Sequence, residues 1–163
     1  MQRPETKVPA DGPKARARAP GLAVRPAEPA DHAVIFELLR ELELDYAARD
    51  LRRFLVGEID GAHGAEIVGI AEVRPFEGFA LLSCVGIRGD LQGRGLGRDL
   101  VTAALDGVGT DVYLYTLVPG FFAKLGFAEA TSTPPGLPPR WIYGCGSCEP
   151  ARCHCLVRRP DAT

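Results

Sequence analysis

Residues 86 to 97 read Gly-Ile-Arg-Gly-Asp-Leu-Gln-Gly-Arg-Gly-Leu-Gly, an apolar strand that ends in a glycine-rich turn and opens into a helix. Gly93, Gly95 and Gly97 alternate through the turn, so no side chain separates consecutive backbone N–H groups from a ligand. Leu96, Leu100, Val101, Ala104 and Leu105 follow at helical spacing and predict a helix from near Gly95 to just before Gly107. A helix start adds partial positive charge to the same place, which makes the junction a candidate anion site. A bare turn is one competing reading and a nucleotide-binding loop is another. The stretch lacks the Lys-Ser/Thr ending of a P-loop and lies in mid-chain, after several strand-like segments, which makes nucleotide folds the minority reading.

At 163 residues the chain has room for one α/β domain with a core of its own. Its formal net charge of −2 and pI near 5.9 give no reason to expect nucleic acid or an anionic membrane as partner. The longest apolar stretches, Ile67 to Val73 and Phe79 to Ile87, are far short of the roughly 20 residues of a membrane span. Residues 1–20 are rich in Pro, Ala and Arg without an apolar signal core, and predict a solvated tail ahead of a single domain over 21–158. A cytoplasmic location is the corresponding expectation.

Leu22 to Arg25 reads as an opening strand, and Asp31 as the N-cap of a helix whose face is Val34, Ile35, Leu38, Leu39 and Leu42. A short second helix is expected over Tyr46 to Arg53, then a strand from Phe54 that turns at Asp60-Gly61. Ile67 to Val73 and Phe79 to Ile87 form two further strands around a turn containing Pro75 and Gly78. Beyond the glycine-loop helix, Val112 to Leu117 suits a buried strand and Pro119 the start of a helix. Arg140 to Tyr143 and His154 to Val157 are candidate closing strands. This order predicts an α/β (α+β) fold with one central, mixed and mostly antiparallel sheet flanked by helices on both faces.

Two motifs in this order carry a family resemblance. Gln92-Gly93-Arg94-Gly95-Leu96-Gly97 resembles the Gln/Arg-x-x-Gly-x-Gly/Ala signature of the GNAT N-acetyltransferase superfamily, and Phe121 to Phe127 is similar to its aromatic-x-x-x-Gly-Phe segment. The resemblance runs from about Leu22 to Val157. Within the superfamily, Leu114-Tyr115-Thr116 followed by Gly120 to Phe127 is similar to N-acetylglutamate synthase-like enzymes and to acetyltransferases encoded with arsenic-resistance genes. It implies an acetyl-CoA-dependent N-acetyltransferase acting on a small, amino-acid-like amine, as monomer or homodimer.

The resemblance places the pyrophosphate of acetyl-CoA on Gln92, Gly93, Arg94, Gly95, Leu96 and Gly97, with Arg98 as charge partner and Phe122 beside the cofactor. It places thioester polarisation on the main chain of Val85, Gly86 and Ile87, although Gly86 reads equally as a bulge or packing gap. Proton removal falls to Glu72, which on a strand period of two either faces the cleft or sits on a solvated edge. Two departures stand out. Relatives often have a tyrosine in the second motif as general acid, where this chain has Phe121 and Phe122; Tyr115 is the substitute, with core packing as its alternative and water as another proton source. Relatives often have arginine at the position of Ser83, and serine cannot pair bidentately with a carboxylate.

Four of the five cysteines, Cys145, Cys148, Cys153 and Cys155, crowd the chain's end and offer a tetrahedral zinc site, with a disulfide or plain thiols as alternatives. A second function class stays open beside the enzyme: a non-catalytic acyl-CoA or metal-sensing module of the same fold.

Overall fold

The structure, a computed structural model, describes residues 21–44, 50–139 and 150–160. Among them a seven-stranded sheet forms in the order β1-β2-β3-β4-β5-β7-β6. Its strands are β1 (Ala23–Pro26), β2 (Phe54–Gly61), β3 (Gly64–Pro75), β4 (Phe79–Ile87), β5 (Asp111–Thr116), β6 (Ala128–Glu129) and β7 (His154–Arg158). Three helices accompany them: α1 (His32–Glu41), α2 (Leu96–Ala104) and α3 (Pro119–Ala123). All neighbouring strands are antiparallel except β4 and β5, whose parallel pairing requires the crossover that α2 supplies.

The two helical stripes read from the sequence are the buried ones. Ile35, Leu38 and Leu39 of α1 pack with Phe54, Val56, Ile70, Leu81 and Tyr113 on one face of the sheet. Leu96, Leu100, Val101 and Ala104 of α2 pack with Val68, Ala71, Leu82 and Leu114 on the other, where Phe122 of α3 joins them. Strand residues therefore alternate between two cores, as a sheet covered on both faces demands.

Two expectations change in detail and a third lies outside the described residues. The turn after β2 falls on Ala62-His63, because Gly61 still pairs with Gly64, whose φ of +111° closes the two-residue hairpin. Of the helix expected over Tyr46 to Arg53, residues 45–49 lie outside the described residues; Leu51–Arg53 is one 3-10 turn. Asp50 sets that turn by accepting the Arg52 N–H at 3.0 Å, and Phe54 then enters β2. The closing strand expected at Arg140 to Tyr143 also lies outside the described residues, whereas the one at His154 is present.

Asp31 begins α1 as expected, but its carboxylate points backward. It accepts the Glu28 N–H at 2.8 Å and both Arg25 guanidinium nitrogens at 2.8 and 3.1 Å, while Arg25 also reaches Glu58 at 3.0 Å. This ties β1, β2 and the start of α1 together. The Arg25 hydrogen bond holds the Asp31 carboxyl below its ordinary value of 3.8. A depressed carboxyl stabilises the fold fully above its unfolded value and loses that contribution as pH falls through the folded one. The melting temperature of the wild type should therefore drop below about pH 3.8, and Asp31→Asn should remove that share of the drop; an unchanged acid profile in the variant would contradict the assignment.

Candidate functional site: a cleft where two parallel strands part

β4 and β5 pair only through Phe79↔Asp111, Ala80↔Val112 and Leu81↔Tyr113, and then separate. The cause lies in β4. Between the pairs Ile70↔Gly86 and Glu72↔Ser83, one residue of β3 faces two of β4, so Cys84 and Val85 form a bulge. Cys84 takes φ +53°, a left-handed conformation unusual outside glycine. A bulge bends its strand, and here the bend carries the end of β4 away from β5, leaving its edge without a ladder partner on that side among the described residues. The gap is a cleft of about 800 Å³ walled by Leu81–Ile87 and Leu114–Thr116.

The glycine-rich turn closes one end. Gly93 and Gly95 have φ of +81° and +83°, which glycine alone accepts without strain. Gln92 donates through Nε2 to the Ile87 carbonyl at 2.9 Å, so this motif side chain clasps the turn to the end of β4. The first N–H groups of α2, those of Leu96, Gly97 and Arg98, have no intrahelical acceptor; the first bond at the helix start is Asp99 N–H to the Gly95 carbonyl. Arg98 lines the cleft beside Gly95, and Gly97 lies under Phe121, whose ring a Cβ there would meet at 3.4 Å. Leu117, Val118 and Phe121 stay more than a third exposed at the mouth, and Phe122 lines the interior edge-on to Phe121 and Phe127. Of the loop residues named from the sequence, Gln92, Gly93, Gly95, Gly97 and Arg98 line one end of the cleft, with Val85, Gly86 and Ile87 along its wall; Arg94 is exposed outside the lining, and Leu96 is buried in the core beneath α2.

The opposite end is built by two leucines that sequence reading did not place in the site. The chain leaves α1 through a Schellman motif, with Leu44 N–H bonded to Leu39 O and Glu43 N–H to Arg40 O, and Glu43 in the left-handed position at φ +55°. Leu42 and Leu44 then lie on Gly86 so closely that an added Cβ would meet Leu42 at 2.5 Å and Leu44 at 3.1 Å. The side-chain space missing at Gly86 is therefore filled by leucine. Cys84 Sγ lies 3.8 Å from the Leu44 carbonyl. Replacing Glu43 by glycine removes the left-handed strain and should stabilise the protein by roughly 0.5–1 kcal/mol in chemical denaturation; a loss of stability would show that the glutamate side chain contributes more than its backbone costs.

Glu72 is fully buried on the α1 side of the sheet and is not part of the cleft wall, so neither of its expected placements, facing the cleft or on a solvated edge, holds. Its link to the cleft is Ser83, which lines the wall and donates to Glu72 Oε1 at 2.7 Å. Tyr115 also lines the cleft, and its hydroxyl donates to the Pro138 carbonyl at 2.7 Å. Cys153 reaches the cleft, and Cys155 sits opposite Tyr115 in the β5–β7 ladder. Cys145 and Cys148 lie outside the described residues, and among the described residues no group of three or more His, Cys, Asp or Glu side chains is arranged for a metal ion. No helix among them is long and apolar enough to cross a membrane.

A glycine-rich turn at a helix start, at the end of a cleft between two parallel strands parted by a bulge, marks the candidate site of this α/β fold. The acetyltransferase (GNAT) family model matches residues 22–127, and the chain belongs to that family. No curated protein matches it in sequence. Among solved structures it is similar to N-acetylglutamate synthase from Neisseria gonorrhoeae complexed with coenzyme A and L-arginine, at 23% identity and TM-score 0.66 over 92% of this chain. This chain covers 36% of that enzyme's length. Rv2747 from Mycobacterium tuberculosis, solved with CoA, aligns at 19% identity and TM-score 0.64 over 83% of this chain and 98% of its own. The GNAT protein YhbS from Escherichia coli in complex with CoA aligns at 19% identity and TM-score 0.59, over 89% and 84% respectively.

Proposed function

We propose that this chain is an acetyl-CoA-dependent N-acetyltransferase that acetylates a small amine. The observation that carries the reading is the glycine-rich turn at the start of α2, whose first N–H groups lack intrahelical acceptors, at the end of a largely apolar cleft. Phosphate oxygens are the acceptors such a turn suits, and the apolar strand walls suit the thin arm that leads from a diphosphate to its thioester. N–H groups along the freed edge at Val85 to Ile87 would then meet the thioester oxygen and stabilise its charge in the tetrahedral intermediate.

The acceptor enters from the end formed by Leu42, Leu44 and Ser83. An amino-acid-like acceptor is supported by resemblance to N-acetylglutamate synthase, and is set against Ser83 in place of arginine. The single proton of the Tyr115 hydroxyl is engaged with Pro138, which favours water as the source of the proton for the leaving thiolate. That same engagement favours a second reading, a module that binds acyl-CoA without turnover. Thiol release from acetyl-CoA, followed across a panel of primary amines that includes L-glutamate and phenethylamine, separates the two: turnover supports the enzyme, and calorimetric binding of CoA with no thiol release supports the module. Absence of CoA binding would remove both.

A further inference from the structure

We propose that Ser83 takes the proton from the attacking amine and passes its own to Glu72, so that a carboxylate with no access to the cleft serves as the base for it; this rests on the acetyltransferase reading above. Glu72 is 0% exposed, and its strand neighbours across the sheet are Phe54 on one side and Ser83 on the other. A position buried on both sides of a sheet is ordinarily filled by Val, Ile or Leu, since a carboxyl group taken from water costs free energy unless something is gained from it. The Ser83 hydroxyl gives its one proton to Glu72 Oε1 over 2.7 Å. Its oxygen lone pairs are then available to accept an N–H. Ser83 lines the cleft and immediately precedes the Cys84–Val85 bulge, so it adjoins in sequence the stretch of main chain assigned to the thioester.

In the step, the amine nitrogen bonds to the thioester carbonyl carbon and the C–S bond breaks with its electron pair on sulfur. One N–H proton moves to Ser83 Oγ as the serine proton moves to Glu72 Oε1. The thiolate takes a proton from water, and Glu72 returns its proton through Ser83 to solvent once the amide product has left. Ser83 is the residue that touches the substrate, and Glu72 acts through it.

The test uses the full chain, acetyl-CoA and the fastest amine of the panel. Ser83→Ala and Glu72→Gln should each lower kcat by about 100-fold, within the range of lost general-base catalysis, with calorimetric affinity for CoA unchanged. The double variant should be no slower than either single one. Ser83→Thr, which keeps a hydroxyl, should recover at least about tenfold over Ser83→Ala. The proton inventory in mixed light and heavy water should be curved for the wild type and linear for Ser83→Ala. Additive losses, a Ser83→Ala enzyme within threefold of wild type, or an unchanged inventory would overturn the relay. So would a wild type that binds CoA and acetylates no amine. Failure to bind CoA at all is the separate result that removes the acetyltransferase reading itself.

Discussion

Gly95→Glu should lower affinity for coenzyme A by at least about 100-fold, the equivalent of losing two charge-assisted hydrogen bonds at roughly 1.5 kcal/mol each. Two effects act at one position. Gly95 has φ +83°, so any side chain shifts the turn and the N–H groups it presents. The new carboxylate also sits where anionic oxygens are expected, and an added Cβ lies 3.5 Å from Arg98 Nη2, which brings the carboxylate within reach of the one cationic side chain lining the cleft among the described residues. The turn is at the surface, so circular dichroism and cooperative unfolding should persist. Isothermal titration with CoA gives the answer directly, and an affinity within threefold of wild type would refute the phosphate assignment.

Leu100→Ala should act on the fold. Leu100 is fully buried on α2 and its two methyl groups lie over the bare backbone of Gly57 and Gly69, 3.6 and 3.3 Å from where their Cβ atoms would be. The strands cannot close over the void, because Gly69 is also held by Ile87, 2.7 Å from its missing Cβ. A truncation that cannot relax belongs at the costly end for buried leucine, about 3–5 kcal/mol, and should lower the melting temperature by roughly 10 °C. A loss below about 1 kcal/mol by chemical denaturation would mean that α2 is packed less tightly on the sheet than these distances say. CoA affinity of the folded fraction should stay within a few-fold of wild type, since the turn and not Leu100 contacts the cleft.

The glycine-rich turn and the helix start behind it were legible because their geometry is set locally. A row of glycines, a clasping amide and a helix start lie within seven residues of chain, and chain connectivity alone places them together. Glu72 illustrates the opposite case. Its strand and its apolar neighbours were readable, yet its distance from the cleft depends on the register of β3 against β4, and one bulge residue changes that register. Leu42 was readable only as part of a helical face and Leu44 not at all, since their contact with Gly86 is made across some forty residues by the packing of α1 on the sheet.

What the chain's sequence determined by itself is its periodicity: which helical faces are apolar, where strands start, and where glycine permits a turn that side chains forbid. Those are short-range preferences of backbone and solvent, and they survive without knowledge of the neighbours. The parting of β4 from β5, the seating of leucines on Gly86 and the serine between Glu72 and the cleft were decided only in the tertiary structure. Each depends on which distant strand supplies the opposing atoms, and that choice is made by the packing of two cores against one sheet.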